Sequence, residues 1–185
     1  MSDWRKIQLP MTAKTVAELR AGDKLLLSGT IYAARDAAHK RFVEALDRGE
    51  KLPIDLSKSV IYYMGPSPTR PGDIVGACGP TTSARMDKYT PRLLTEGLRV
   101  MMGKGDRSLQ VVEAIKKYRG VYLITIGGAG ALLSLKVKSS EIVAYPDLGT
   151  EAVLKMEVEN FPAIVAVDSQ GNDFCKIGPS QYRTS

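Results

Sequence analysis

Residues 23–48 run Asp23-Lys24-Leu25-Leu26-Leu27-Ser28-Gly29-Thr30-Ile31, then Tyr32-Ala33-Ala34-Arg35, then Asp36-Ala37-Ala38-His39-Lys40-Arg41-Phe42-Val43-Glu44-Ala45-Leu46-Asp47-Arg48. The first run is an apolar stretch of strand length and reads as a buried strand. From Asp36 the period changes. Ala38, Phe42, Ala45 and Leu46 fall on one face of a helix over 36–48, and Gly49 is its stop. A buried strand feeding straight into an amphipathic helix is the unit from which α/β domains are built.

The rest of the chain extends this alternation. Ser59 to Met64 reads as a strand, and Gly65 to Gly72 is too rich in proline to be anything but a fixed loop. Ile74 to Cys78 reads as a short buried strand. Gly79-Pro80-Thr81-Thr82-Ser83 is a turn with hydroxyls suited to capping a helix, which Pro91 should interrupt. Arg99 to Met102 is a strand and Gly103-Lys104-Gly105 a tight turn. Asp106 can cap a helix through Tyr118 with Val111, Val112, Ile115 and Tyr118 facing inward. Val121 to Ile126 is a β-branched strand, and Gly127-Gly128-Ala129-Gly130 leads to a helix ending near Val137. Strands then follow at 141–145, 152–159 and 163–167, and Asp168 to Asn172 turns back into a strand at 173–176. Residues 1–22 read as a lead-in. With no repeat and no low-complexity linker, the expectation is one domain over 1–185, of mixed α/β layered class.

Composition narrows the function. The 185 residues carry two cysteines, Cys78 and Cys175, and one histidine, His39. That donor set excludes an ordinary zinc site or an iron–sulfur cluster held by this chain alone. The net charge is +6 and the pI about 9.3. The basic residues are scattered among acids, and Lys116, Lys117 and Arg119 cluster where a helix ends, so the charge does not point to nucleic acid. It suits a dianionic small molecule equally well. The longest apolar stretch, Val121 to Leu135, contains three glycines and falls short of a membrane span. Nor does the start resemble a secretory signal. A cytoplasmic protein is the expectation.

Four turns at strand ends could carry chemistry. Arg35 at a helix entrance lies beside free backbone N–H groups, a natural carboxylate site; alternatively Asp36 caps the helix and Arg35 is solvated. Next to it, His39 reads as a half-buried packing residue. Adjacent Thr81 and Thr82 can bind an anion or only cap, and Arg85, four residues after Thr81, can fold back over the same pocket. Lys104 between two glycines is open to a ligand or is a bare turn. The Gly127–Gly130 run lacks the third glycine of a dinucleotide loop and reads as close packing of helix on strand. Together these turns offer two arginines, a lysine and hydroxyls, but no general base of ordinary pKa. That is half a site for a dicarboxylate.

Those same segments, in the same order, resemble the β subunit, equivalently the C-terminal domain, of the iron–sulfur hydro-lyases, the class I fumarate hydratases and L-tartrate dehydratases. The matching residues are LRAGDKLLLSGTIYAARDAAHKR (19–41), IYYMGPSP (61–68), GACGPTTSARMD (76–87), MMGKG (101–105), GVYLITIGGAGAL (120–132) and NFPAIVAVDSQGND (160–173). One departure is Ala34, where the family pattern has glycine. The resemblance implies a swivelling β/β/α domain with a mixed sheet, facing a larger α subunit that holds a 4Fe–4S cluster whose open iron acts on the hydroxyl. It implies Arg35, Thr82, Arg85 and Lys104 as substrate-binding residues and Thr81 as the proton acceptor. It further implies the two-subunit form, as α2β2, with no cofactor bound by this chain. The implied reaction is the reversible dehydration of (S)-malate to fumarate, with L-tartrate dehydration as the close rival. From another class, a non-catalytic anion-binding assembly module would share the fold without the chemistry.

Overall fold

The strand–turn–helix unit forms where the sequence places it, as β2 (Lys24–Ala33) and α2 (Asp36–Asp47). The computed structural model describes residues 4–180, and the sheet grows outward from β2. In chain order the other strands are β1 (Arg5–Gln8), β3 (Val60–Tyr62), β4 (Val100–Gly103), β5 (Val121–Ile124), β6 (Val137–Ala144) and β7 (Val153–Val167). Strands β1 to β5 lie side by side and all pair in parallel. Strand β7 runs antiparallel to β5 and also to β2. That second pairing closes β2-β3-β4-β5-β7 into a small five-stranded barrel, with β1 and β6 as flanking additions. The fold is thus a mixed α/β domain whose sheet closes on itself.

Alternation along the short central strands feeds two cores. Val60, Tyr62, Val100, Met102, Val121 and Leu123 face the barrel interior, where Leu25, Leu27 and Ile31 meet them. Their neighbours Ile61, Met101 and Tyr122 face outward. There they pack on α2, on α3 (Thr90–Thr95) and on α4 (Leu109–Tyr118). Parallel strands buried on both faces read as continuous apolar runs, which is why 60–64 and 121–124 lack polar alternation. Each fully buried Leu or Ile contributes about 1.5–3 kcal/mol relative to exposure, so the interior of β2 alone is a substantial anchor.

Several local expectations are corrected. The lead-in holds β1, which lies on the edge of β2, and a short helix, α1 (Ala13–Glu18), capped by Thr12. Residues 74–78 are not a strand. Ser67 Oγ accepts from the Ala77 N–H at 2.8 Å and Ile74 is 52% exposed, so the segment folds onto its own loop and not into the sheet. Pro91 starts α3 and does not interrupt it, because its missing N–H is harmless in a first turn. Ser108, not Asp106, caps α4. The helix after Gly127 is short, α5 (Gly130–Ser134), because β6 begins at Val137. The strands expected at 152–159 and 163–167 are one strand, β7, with Asn160 in the left-handed region at its irregularity. Residues 173–176 are not a strand: only Asp173 bridges back to Val167, and its carboxylate accepts from the Cys175 N–H at 3.0 Å to start α6 (Phe174–Ser180).

Candidate active site

Because β2 to β5 are parallel, their C-terminal ends share one rim, and every candidate residue sits on it. Arg35 follows β2 and Lys104 follows β4. The segment 80–83 is strapped across the ends of β3 and β4. Met64 bridges Pro80, the Thr81 N–H donates to the Tyr63 carbonyl at 2.7 Å, Thr82 bridges Lys104, and the Ser83 N–H donates to the Lys104 carbonyl at 2.9 Å. Gly103 makes this strap possible: a Cβ there would lie 2.1 Å from Ser83 Oγ. Crevices at the carboxyl ends of parallel strands are where open α/β sheets bind ligands.

The residues form two linked groups. In the first, Asp36 joins the two arginines. Arg85 Nε donates to Asp36 Oδ1 at 2.7 Å, and Arg35 Nε lies 3.5 Å from Asp36 Oδ2. Burial works against ionisation of Asp36, but the backbone, Arg85 and Arg35 together hold its carboxyl below the usual range. Glu151, from the far end of the chain, completes this group. Its Oε2 accepts from the Ala37 N–H at 2.8 Å and its Oε1 lies 3.3 Å from Arg35 Nη2. The helix entrance that the sequence offers to a carboxylate therefore already holds one of the protein's own. Arg35 keeps a buried Nε with no hydrogen-bond partner. In the second group, Thr81, Thr82 and Lys104 share the strap. Thr82 precedes a 3-10 turn, Ser83–Met86, without capping it, so its hydroxyl is not consumed there. The same turn carries Arg85 to the first group.

His39 is not half-buried but fully enclosed. Its Nδ1–H donates to the Arg35 carbonyl at 2.9 Å, and its ring packs against Phe42, Tyr63 and Tyr89. Burial takes its pKa down to about 4. It supports the backbone of Arg35 as a neutral imidazole. The residues missed in the sequence are Asp36 as a link between arginines, Glu151, and the buried Arg107 beneath the strap. Glu151 had no local signal, since its partner Ala37 is 114 positions away.

Among the described residues no three His, Cys, Asp or Glu side chains converge as a metal site. Cys78 is buried, and burial pushes its thiol up to about 11, the opposite of a thiolate ligand. The donor set of this chain does not fit an iron–sulfur cluster. Among the described residues no helix is long and apolar enough to cross a membrane.

The chain is 48% identical over 153 residues to "Fumarate hydratase class I, aerobic" of Salmonella typhimurium, covering 82% of this chain and 26% of that protein. It is 47% identical over 153 residues to the anaerobic class I enzyme of Escherichia coli K12, covering 82% of this chain and 28% of that one. Against "Putative L(+)-tartrate dehydratase subunit beta" of Methanocaldococcus jannaschii it is 42% identical over 168 residues, covering 88% of this chain and 86% of that protein. The chain thus spans between a quarter and a third of the two fumarate hydratases and nearly all of the tartrate dehydratase subunit. The family model described as "Fumarase C-terminus" matches residues 1–178, and the chain belongs to that family.

Proposed function

We propose that this chain is the β subunit of an iron–sulfur-dependent hydro-lyase that interconverts (S)-malate with fumarate and water. The observation that carries the reading is the rim itself. Arg35, Arg85 and Lys104 stand beside two threonines on one edge of a parallel sheet, where the carboxylates of Asp36 and Glu151 are taken up by the arginines and the imidazole of His39 is enclosed. The ligand we assign to this rim is a dianion, whose carboxylates would take Thr82 and Lys104 and share Arg35 and Arg85 with Asp36 and Glu151. Thr81, as its alkoxide, then takes the C3 proton while the C2–O bond breaks and the hydroxyl leaves as hydroxide; return of that proton from Thr81 to the hydroxide gives water and restores the alkoxide beside the new double bond. A hydroxyl is a poor base in water, and the surrounding cations are what lower the cost of its alkoxide. The cluster belongs to a larger α subunit, in an α2β2 assembly in the cytoplasm. The domain would swivel as a β/β/α unit against that subunit. Ile126, just past the end of β5, is exposed, as are Leu132 and Leu135 in the segment that follows, and such apolar surface suits a protein neighbour.

The L-tartrate alternative is favoured by one observation, the near-complete coverage of the tartrate dehydratase subunit. Both diacids present the same carboxylates to this rim. The test is anaerobic co-purification of the partner with this chain, followed by assays on fumarate and on L-tartrate. In that complex Arg85→Ala should lower turnover by two orders of magnitude or more with assembly intact. Near-normal turnover of Arg85→Ala would overturn the assigned rim, and turnover of tartrate alone would replace the substrate.

A further inference from the structure

Arg107 is a charge the rim does not use. Its side chain has no exposed surface. Nε donates to Asp87 Oδ1 at 2.7 Å, Nη2 to Thr90 Oγ1 at 2.7 Å and Nη1 to the Tyr63 hydroxyl at 3.3 Å. The guanidinium lies 5.3 Å from the Tyr63 ring centroid and 4.9 Å from that of Tyr122. A buried cation is costly unless paired and hydrogen-bonded, and this one is both. What it holds is informative. The Tyr122 hydroxyl lies 2.7 Å from Ser83 Oγ and donates to the Gly105 carbonyl at 2.8 Å. Ser83 is the residue after Thr82, and Gly105 the residue after Lys104. One phenol thus spans the two loops that carry the threonines and the lysine.

We propose that Tyr122, backed by Arg107, is a positioning residue for the reaction. Its hydroxyl ties the Thr81–Thr82–Ser83 strap to the Lys104 turn and fixes the spacing of proton acceptor and carboxylate-binding cation. This rests on the function proposed above. Tyr122 is buried and its phenol is kept protonated by that burial, so it acts through the loops and not on the substrate. The asymmetry of the contacts gives the role its sense. The ring belongs to the rigid sheet, while both oxygen contacts belong to loops. Misplacing a reacting group by about 1 Å costs on the order of 10²-fold in rate.

The test compares wild-type, Tyr122→Phe, Ser83→Ala and Thr81→Ala chains in the assembled enzyme. Tyr122→Phe keeps the ring over Arg107 and removes one hydroxyl; Ser83→Ala removes the same link from the other side should the first variant fold poorly. Either should lower kcat about 10- to 100-fold with KM changed less than about threefold. The deuterium isotope effect on the carbon that loses its proton should rise, because proton removal becomes rate-limiting. Amide exchange at Ser83, whose N–H donates to the Lys104 carbonyl, should quicken about tenfold while the core strands stay protected. Wild-type kcat, isotope effect and Ser83 exchange in both variants would overturn the tie. So would parallel losses of kcat and Tm with exchange and isotope effect unchanged, since that is a structural role only. Near-normal turnover of Thr81→Ala would instead overturn the base assignment, and the Ser83 exchange readout would still decide the tie.

Discussion

Gly103 is the last residue of β4, and a methyl group there has no room. An alanine Cβ would lie 2.1 Å from Ser83 Oγ, 2.9 Å from Tyr63 Cδ2 and 3.3 Å from the Thr81 carbonyl oxygen. Nonbonded heavy atoms settle near about 3.5 Å, so Ser83 must retreat by more than about 1 Å. It has little freedom to do so, being fully buried and held by the Tyr122 hydroxyl. Overpacking of this kind costs about 1–3 kcal/mol. In a domain of this size that corresponds to a Tm lowered by roughly 3–10 °C. Thr81 and Thr82 move with Ser83, and a displacement near 1 Å lowers turnover on the order of 10²-fold. Gly127→Ala is the contrast, since its Cβ would meet only Lys104 Cδ at 3.8 Å, an ordinary contact, and stability should change by less than about 0.5 kcal/mol. Calorimetry of both variants and the hydration assay on the reconstituted enzyme check this. A Gly103→Ala protein with wild-type Tm and turnover would refute the account of the strap as packed on β4.

Two further outcomes follow from buried polar groups. His39 titrates near 6.5 when unfolded but near 4 in the fold, so stability is complete above pH 6.5 and falls as pH drops through that window. The loss reaches about 3 kcal/mol; His39→Gln should flatten the Tm-against-pH curve between 6.5 and 4, and an unchanged slope would mean the imidazole is already charged in the fold. Thr125, at the end of β5, is buried with an Oγ1 that makes no hydrogen bond. Thr125→Val removes that orphan at constant shape and should leave stability unchanged or raise it by about 1 kcal/mol, whereas a Tm drop of several degrees would show that the hydroxyl has a partner.

The parts of the fold legible in the sequence were those with a local cause. Strand β2 and helix α2 announce themselves because the apolar period changes at Asp36, and β5 because Val121 to Ile124 is buried on both faces. Strand β7 was not legible as one strand. Asn160, Phe161 and Pro162 resemble a break, and what carries the strand through them is the ladder to β2, with Pro162 opposite Leu26. Residues 173–176 went the other way, because the helix there is set by the Asp173 carboxylate and not by any period. For the site, the turns holding Arg35, Thr81, Thr82, Arg85 and Lys104 stood out by glycine, hydroxyl and charge. Their grouping into an arginine pair bridged by Asp36 and a strap over β4 depended on strand order. Glu151, Tyr122 and Arg107 reach the rim through space, and a single sequence does not show who will meet whom across the barrel.

The closing of the sheet by its last strand also bears on how the chain is made. When a ribosome has synthesised residues 1–150, every parallel strand and all five rim residues exist, yet β2 and β5 each still lack their antiparallel neighbour. The β2–β7 pairing joins residues more than a hundred positions apart, and such non-local pairings form late and slowly. Until β7 emerges, the nascent domain presents two unsatisfied edges beside an apolar interior, the kind of surface that recruits foreign strands. Pausing or truncation just before Val153 should therefore be the most aggregation-prone moment in the synthesis of this chain.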